Sequence, residues 1–380
     1  MKSLIKNATL AGIATVLLAA ILPSQAEQNQ LVVVGGNASI KLLTTAIPAI
    51  FGGTAVTNST NSLIISYRNA AYPNLASSNS SLRIDFNLTG GAGATTDLAL
   101  QHQVALSDNS LAAPTLVITA AAPEDVNIDS SIFTSSNSLV VPVVYIKNTN
   151  FLQNDLALIT NITQRNAVYL TGSGGYLPTG YFSGSSHTTV NFPDGSGAFS
   201  TPGDNLFFVG RSSIAAVRQL FDFNIYNTAL DGNFTTNAAG YPIPYVDGLG
   251  NPSGAGSGSE VVAIVKAITN SIGTVAVQDA AGYSTNSYLS YEGVPFSVAA
   301  VANGSYPLWG YERYLTFPTG NAHAPTSQQA AVIGQIYNKV QDPTFQAGSA
   351  FTNKFVGLNS LQVKRVEPGP DGTAITSLNY

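Results

Sequence analysis

An arginine followed by two hydroxyl residues, Arg211-Ser212-Ser213, stands directly after the apolar run Asn205-Leu206-Phe207-Phe208-Val209 and the turn residue Gly210. A guanidinium offers five fixed N–H donors and the hydroxyls add more, a set suited to an anion or another acceptor-rich small molecule. Two further donor-rich loops occur: Asn37-Ala38-Ser39 after Gly35-Gly36, and Thr89-Gly90-Gly91 ahead of Ala92-Gly93. Glycine lets the main chain approach a ligand closely. A loop that enters a helix also points free N–H groups and the positive end of the helix dipole at whatever sits there.

Catalytic constellations do not assemble. His102, His187 and His323 stand apart without metal-ligand spacing, and neither a G-x-S-x-G elbow nor a G-x-x-x-x-G-K-S/T loop is present. The run Gly90-Gly91-Ala92-Gly93 lacks the third glycine of a dinucleotide fingerprint. With no cysteine there is no thiolate metal site, disulfide or cysteine nucleophile, and the 20 acidic residues show no close pair of the glycosidase kind. The sequence points to binding rather than catalysis, with no metal and no cofactor.

The three loops need elements to hold them. Leu31-Val32-Val33-Val34 predicts a strand that turns at Gly35-Gly36 into a helix carrying Ile40, Leu42, Leu43, Ala46, Ile47, Ile50 and Phe51 at helical spacing. Leu82, Ile84 and Phe86 alternate as a second strand, and the glycine turn after Thr89 opens a second helix through Leu98 and Leu100. Buried strands follow at Thr115–Thr119 and Leu139–Ile146, continuous enough to suit a mainly parallel sheet covered on both faces. Asn205–Val209 with Ile214, Val217, Leu220 and Phe221 forms the third strand-to-helix junction. Capping signatures at Ser257/Glu260 and Thr326/Gln329 announce two more helices, and Ile272–Val277 reads as another strand. Alternating strands and helices give an α/β class.

At 380 residues, 44% apolar and 9% charged, the chain folds, and its length calls for two domains. Lys2 and Lys6 ahead of the apolar stretch Leu10–Leu22, then Ser24-Gln25-Ala26, predict a secretory signal peptide over 1–26 that is cleaved and leaves no stable membrane insertion. Its removal takes two basic residues and no acidic one, so the net charge of −5 becomes −7 and excludes a nucleic-acid partner.

In chain order, Gly35-Gly36-Asn37-Ala38-Ser39-Ile40-Lys41, Leu88-Thr89-Gly90-Gly91-Ala92-Gly93, Val141-Pro142-Val143-Val144-Tyr145 and Gly210-Arg211-Ser212-Ser213-Ile214-Ala215-Ala216-Val217 resemble the ligand loops and crossing strand of the type 2 periplasmic binding proteins. The likeness is specifically to the phosphate-binding subunit of phosphate ABC transporters and its relatives, and Ser257–Val262, Ile272–Val275 and Tyr306–Glu312 complete the series. The resemblance implies two α/β domains, each a mixed sheet flanked by helices, joined by two crossing strands near Leu139–Ile146 and Ile272–Val277. Residues 27–140 and 275–380, the latter with a C-terminal helix, would form the first domain and 141–274 the second. It also implies an exported, non-enzymatic receptor, periplasmic or at the cell surface, that holds a phosphate-like oxyanion or other polar solute for an ABC permease. Arg211 would be the charged contact, with Asn37, Ala38, Ser39, Thr89, Gly90, Gly91, Ser212 and Ser213 as further donors.

The departures from that pattern bear on the ligand. The family's arginine is followed four and six positions later by hydroxyl donors, where this chain has Ala215 and Val217. The family's Ser-Asp after the strand is replaced by the run Thr119-Ala120-Ala121, with Asp125 the nearest acid. Each lost hydrogen bond to an ion costs roughly 1.5–3 kcal/mol. A second expectation is therefore an extracellular interaction protein that kept the fold and lost the ligand, in keeping with the low charge and the Asn, Thr and Ser richness.

Overall fold

The computed structural model describes residues 30–36, 40–69, 82–88, 90–148, 155–201, 203–225, 233–280, 283, 287–367, 369–370 and 373–378. The leader at 1–26, Asn37, Ala38, Ser39 and Thr89 lie outside the described residues.

The first lobe opens with β1 (Gln30–Gly35), α1 (Ile40–Phe51), β2 (Thr54–Thr57), β3 (Ile64–Asn69), β4 (Leu82–Asn87), α2 (Gly91–Leu100) and β5 (Leu116–Thr119). β1 lies between β4 and β5 and is parallel to both. Leu43, Ile47 and Phe51, at helical spacing on α1, pack with Val33, Ile84 and Phe86 from the sheet. Each such side chain removed from water contributes about 1.5–3 kcal/mol before the entropy of ordering it.

The long strand β6 (Thr134–Lys147) then carries the chain out of this lobe. The second lobe adds α3 (Gln164–Gly172), β7 (Tyr176–Pro178), β8 (Asn205–Val209), α4 (Ala216–Asn224), α5 (Gly258–Ala267), β9 (Ser271–Ala276) and β10 (Tyr288–Tyr291). Its core includes an aromatic cluster in which Phe199 and Phe234 both meet Phe207 at 5.0 Å between ring centroids. The chain returns along β11 (Trp309–Thr316) and covers the first lobe with α6 (Ser327–Gln341). The strands share one order, β7-β8-β9-β6-β11-β5-β1-β4-β3-β2, with β10 pairing beside β6.

β6 links the two lobes. Its residues 134–142 pair with β11, and residues 143–147 pair with β9. Leu139, Val140, Val141, Val143, Val144, Tyr145 and Ile146 are each at most 1% exposed, as their continuous apolar run predicts. Both of these neighbours are nevertheless antiparallel to β6, so the sheet is mixed rather than mainly parallel. The apolar run reports two covered faces, and helices on both sides supply those whatever the strand direction.

The second crossing also differs from its expected place. Ile272–Val277 stays in the second lobe, where β9 lies between β8 and the far half of β6, and the chain is still paired with Tyr145 and Ile146 through β10. The return is made by β11, whose Trp309 faces Pro142, beyond the boundary expected at 274. A buried strand that ends at a junction and one that crosses it have the same composition, which is why the sequence does not separate them.

Candidate functional site

The glycine loop of the first lobe is held from two sides. Gly90 N–H donates to Gly35 O at 3.3 Å, tying the loop to the end of β1. Thr119 Oγ1, at the end of β5, donates to Gly91 O at 2.9 Å and accepts from Ala121 N–H at 3.0 Å. A Cβ on Gly91 would stand 2.6 Å from Ala216 Cβ and 3.1 Å from Gly36 Cα, so only glycine fits between the lobes. Thr119 is thus spent on positioning the loop. Asp125, the nearest acid to the missing Ser-Asp, accepts from Ala122 N–H at 2.8 Å as part of a short helical turn.

The second lobe presents the arginine loop. Arg211 is 4% exposed; its Nε donates to Ala255 O at 3.1 Å and its Nη2 to Gly256 O at 2.9 Å. Burial lowers the guanidinium pKa, and the carboxylates of Asp279 and Glu260 act in the opposite direction. Ser212 N–H donates to Ala255 O, Ser212 O accepts from Ala215 N–H, and Ser213 O accepts from Gln219 Nε2 at 2.7 Å. Arg211 therefore fastens the strand-to-helix loop to the 255–256 segment, with two backbone carbonyls as partners and two acids in its field. α4 is anchored from within: Arg218 Nε reaches both carboxylate oxygens of Asp222 at 2.7 and 2.8 Å, with both residues buried.

The two loops meet. Ala92 N–H, in the first turn of α2, donates across the cleft to Ile214 O at 3.1 Å, and Gly91 and Ala216 stand in contact beside it. An acceptor oxygen of one lobe thus occupies the helix N-terminus of the other. The helix starts themselves differ in how they are capped. α3, α5 and α6 are capped by the side chains of Thr163, Ser257 and Thr326, which accept from Asn166, Glu260 and Gln329 N–H respectively. α2 and α4 begin at Gly90 and Ala215 with no side-chain cap. The first-turn N–H groups of a helix have no partner within the helix, so an uncapped start in a cleft leaves donors for an acceptor brought from outside.

Of the residues expected at the site, the structure brings Gly90 and Gly91 to the lobe contact, embeds Arg211, and sets Ser212 and Ser213 in the loop ahead of α4. Sequence reasoning missed Ile214 and Ala216, which act through a carbonyl and a methyl group that residue type does not advertise. The signal available was size: Gly36, Gly91 and Ala216 are all small enough for two backbones to touch. His187, read as isolated, bonds through Nδ1 to Asp155 Oδ2 at 2.7 Å, an oxygen that also accepts from Thr179 Oγ1. Among the described residues no group of three His, Cys, Asp or Glu side chains could hold a metal, and no helix is long and apolar enough to cross a membrane.

No family model and no curated protein matches the sequence. Solved structures do. A Clostridium perfringens protein crystallised with bound phosphate, and assigned as a phosphate ABC transporter substrate-binding protein, superposes with a TM-score of 0.52 at 10% identity, covering 87% of this chain and 100% of its own. A phosphate binding protein from Stenotrophomonas maltophilia gives 0.46 at 11% identity over 87% of this chain and 90% of its own. An ABC-type phosphate transport receptor from Vibrio cholerae gives 0.43 at 10% identity over 82% and 96%. On the first of these matches, the chain shares the two-domain α/β fold of that substrate-binding protein, the fold that the resemblance of its loops implies.

Proposed function

We propose that this protein is an exported, non-enzymatic binding protein of the phosphate-receptor type, which holds a small oxyanion or other acceptor-rich polar solute between the N-termini of α2 and α4. The observation that carries this reading is the Ala92 N–H to Ile214 O bond of 3.1 Å between two uncapped helix starts. Donors at both ends of the cleft are left without side-chain acceptors, and where the lobes touch, a backbone oxygen takes one of them. A solute oxygen that displaces Ile214 O would make the same bond and add those of the α4 first turn, and the lobes would close on it by movement about β6 and β11. Arg211, held by Ala255 and Gly256, contributes positive potential rather than a direct clamp. Delivery to an ABC permease is the transport role that fits such a receptor.

The experiment is a melting series on Glu27–Tyr380, unfolded and refolded to strip carried ligand, against phosphate, sulfate, organic anions and neutral polar solutes at fixed ionic strength. A solute at about 100 times its dissociation constant adds roughly 2.7 kcal/mol to native stability. A selective rise supports the receptor reading. The close packing of Gly91 on Ala216 favours the second reading, an interaction protein whose cleft is sealed by its own chain; no rise with any solute would establish that one instead.

A further inference from the structure

Besides β6 and β11, a third stretch of chain ties the lobes together: the C-terminal hairpin of β12 (Val363–Arg365) and β13 (Ile375–Ser377). Arg365 is 4% exposed, and its guanidinium reaches several segments at once. Nη2 donates to Asn224 Oδ1 and to Pro307 O, each at 2.6 Å, Nε donates to Trp309 O at 3.0 Å, and Nη1 donates to Thr373 O at 2.7 Å. The same group lies over the indole of Trp309, 4.4 Å from the ring centre, where a cation is attracted to the aromatic face. Asn224 is the last residue of α4 and so belongs to the second lobe, whereas Trp309 is the first residue of β11.

Two residues on, Glu367 fastens the same segment to the first lobe. Its Oε1 accepts from Arg313 Nε and Nη2 at 3.0 and 2.9 Å, and its Oε2 accepts from Asn137 Nδ2 at 2.6 Å. Arg313 on β11 stands opposite Asn137 in the half of β6 that pairs with that strand. Charged side chains make up only 9% of the chain, yet Arg313 and Arg365 are both buried here. A guanidinium is costly to bury unless its donors are met, so the acceptors from both lobes must stay in place around the tail. α4 is thereby held at both ends. Its start faces Gly91 and Ala92 across the cleft, and its last residue is bound to the tail.

We propose that the C-terminal segment 363–367 is an interlobe strap that holds the lobes at the angle at which the two cleft loops touch. Rotation of the second lobe carries Asn224 away from Arg365 while Glu367 keeps the tail on the first lobe, so opening breaks the Arg365–Asn224 bond together with the Ala92–Ile214 bond. The strap acts whether or not the cleft takes a solute. The test is amide hydrogen exchange of the mature chain carrying Asn224→Leu, which removes the second-lobe acceptor. A hydrogen bond to a charged group is worth about tenfold or more in an equilibrium constant, so protection of the Ala92 amide should fall about tenfold while amides of β1 keep theirs. Asn224 also donates to Leu220 O at 2.7 Å within α4, and a second background separates that bond from the strap: in Arg365→Met, Asn224→Leu should lower Ala92 protection no further. Should Arg365→Met fail to fold, Glu367→Gln, which weakens the anchor on the first lobe, should lower Ala92 protection in the same sense as Asn224→Leu. The proposal is overturned if Asn224→Leu leaves Ala92 protection at its wild-type value, if β1 loses as much protection as Ala92, or if Glu367→Gln has no effect there. It is equally overturned if Asn224→Leu acts as strongly without Arg365, or if Ala92 is already unprotected in the wild-type chain.

Discussion

The helices of this protein begin in two ways. α3, α5 and α6 start with a threonine or serine that caps the first turn. α2 and α4 start at the cleft with Gly90 and Ala215, which cannot cap by side chain. An alanine at this position, as at Ala215, costs about 1 kcal/mol of local stability relative to a capping serine, and a glycine, as at Gly90, only a few tenths. Two starts at the lobe contact without a side-chain cap leave first-turn N–H groups for an acceptor from elsewhere, which in the structure is Ile214 O for α2. The difference is between helix starts closed by their own side chains and starts left to an acceptor from outside the helix.

The largest way to break this comparison is to unfasten α4 from its lobe. Asp222→Ala leaves Arg218 buried without its carboxylate and should cost about 3–5 kcal/mol in urea unfolding. A loss of that size would show that α4 is secured by its own ion pair and needs no cap. Arg211→Ala comes next: two charge-assisted bonds to Ala255 and Gly256 disappear, and stability should fall by about 2–3 kcal/mol whether or not solute is present. Full stability with lost solute binding would instead make Arg211 a ligand contact. Gly91→Ala drives a methyl against Ala216, and X-ray scattering should show a larger radius of gyration as the lobes part, at a stability cost of roughly 1–3 kcal/mol. The smallest and sharpest test is a reciprocal pair. Ala215→Ser should gain, and Ser257→Ala lose, about 1 kcal/mol; no gain at Ala215 would mean that α4's first-turn donors are already satisfied.

Much of this was legible in the residues because it rests on side chains. The capping pairs Ser257/Glu260 and Thr326/Gln329, the strand Asn205–Val209 and the linking run Leu139–Ile146 all lie where propensity and periodicity place them. Gly91 was legible as a site of close approach, although not what approaches it. The rest depends on tertiary geometry. Arg211 follows a strand and precedes a helix in either role, and only the position of the 255–256 carbonyls reveals that it is tied back. Ile214 contributes a carbonyl that every residue type possesses. The return of the chain at Trp309 rather than near Ile272 was hidden because both segments are buried strands.

Hydrogen exchange at the Ala92 amide tests the central claim most directly. A first-turn amide of an uncapped helix has no acceptor within that helix and is open to solvent when nothing faces it. With the lobes in contact through Ile214 O, Ala92 N–H in the solute-free protein should exchange far more slowly than an unprotected amide and lose that protection in Gly91→Ala. Rapid exchange at Ala92 in the wild-type chain would contradict the account, because the two lobes would then not share that bond.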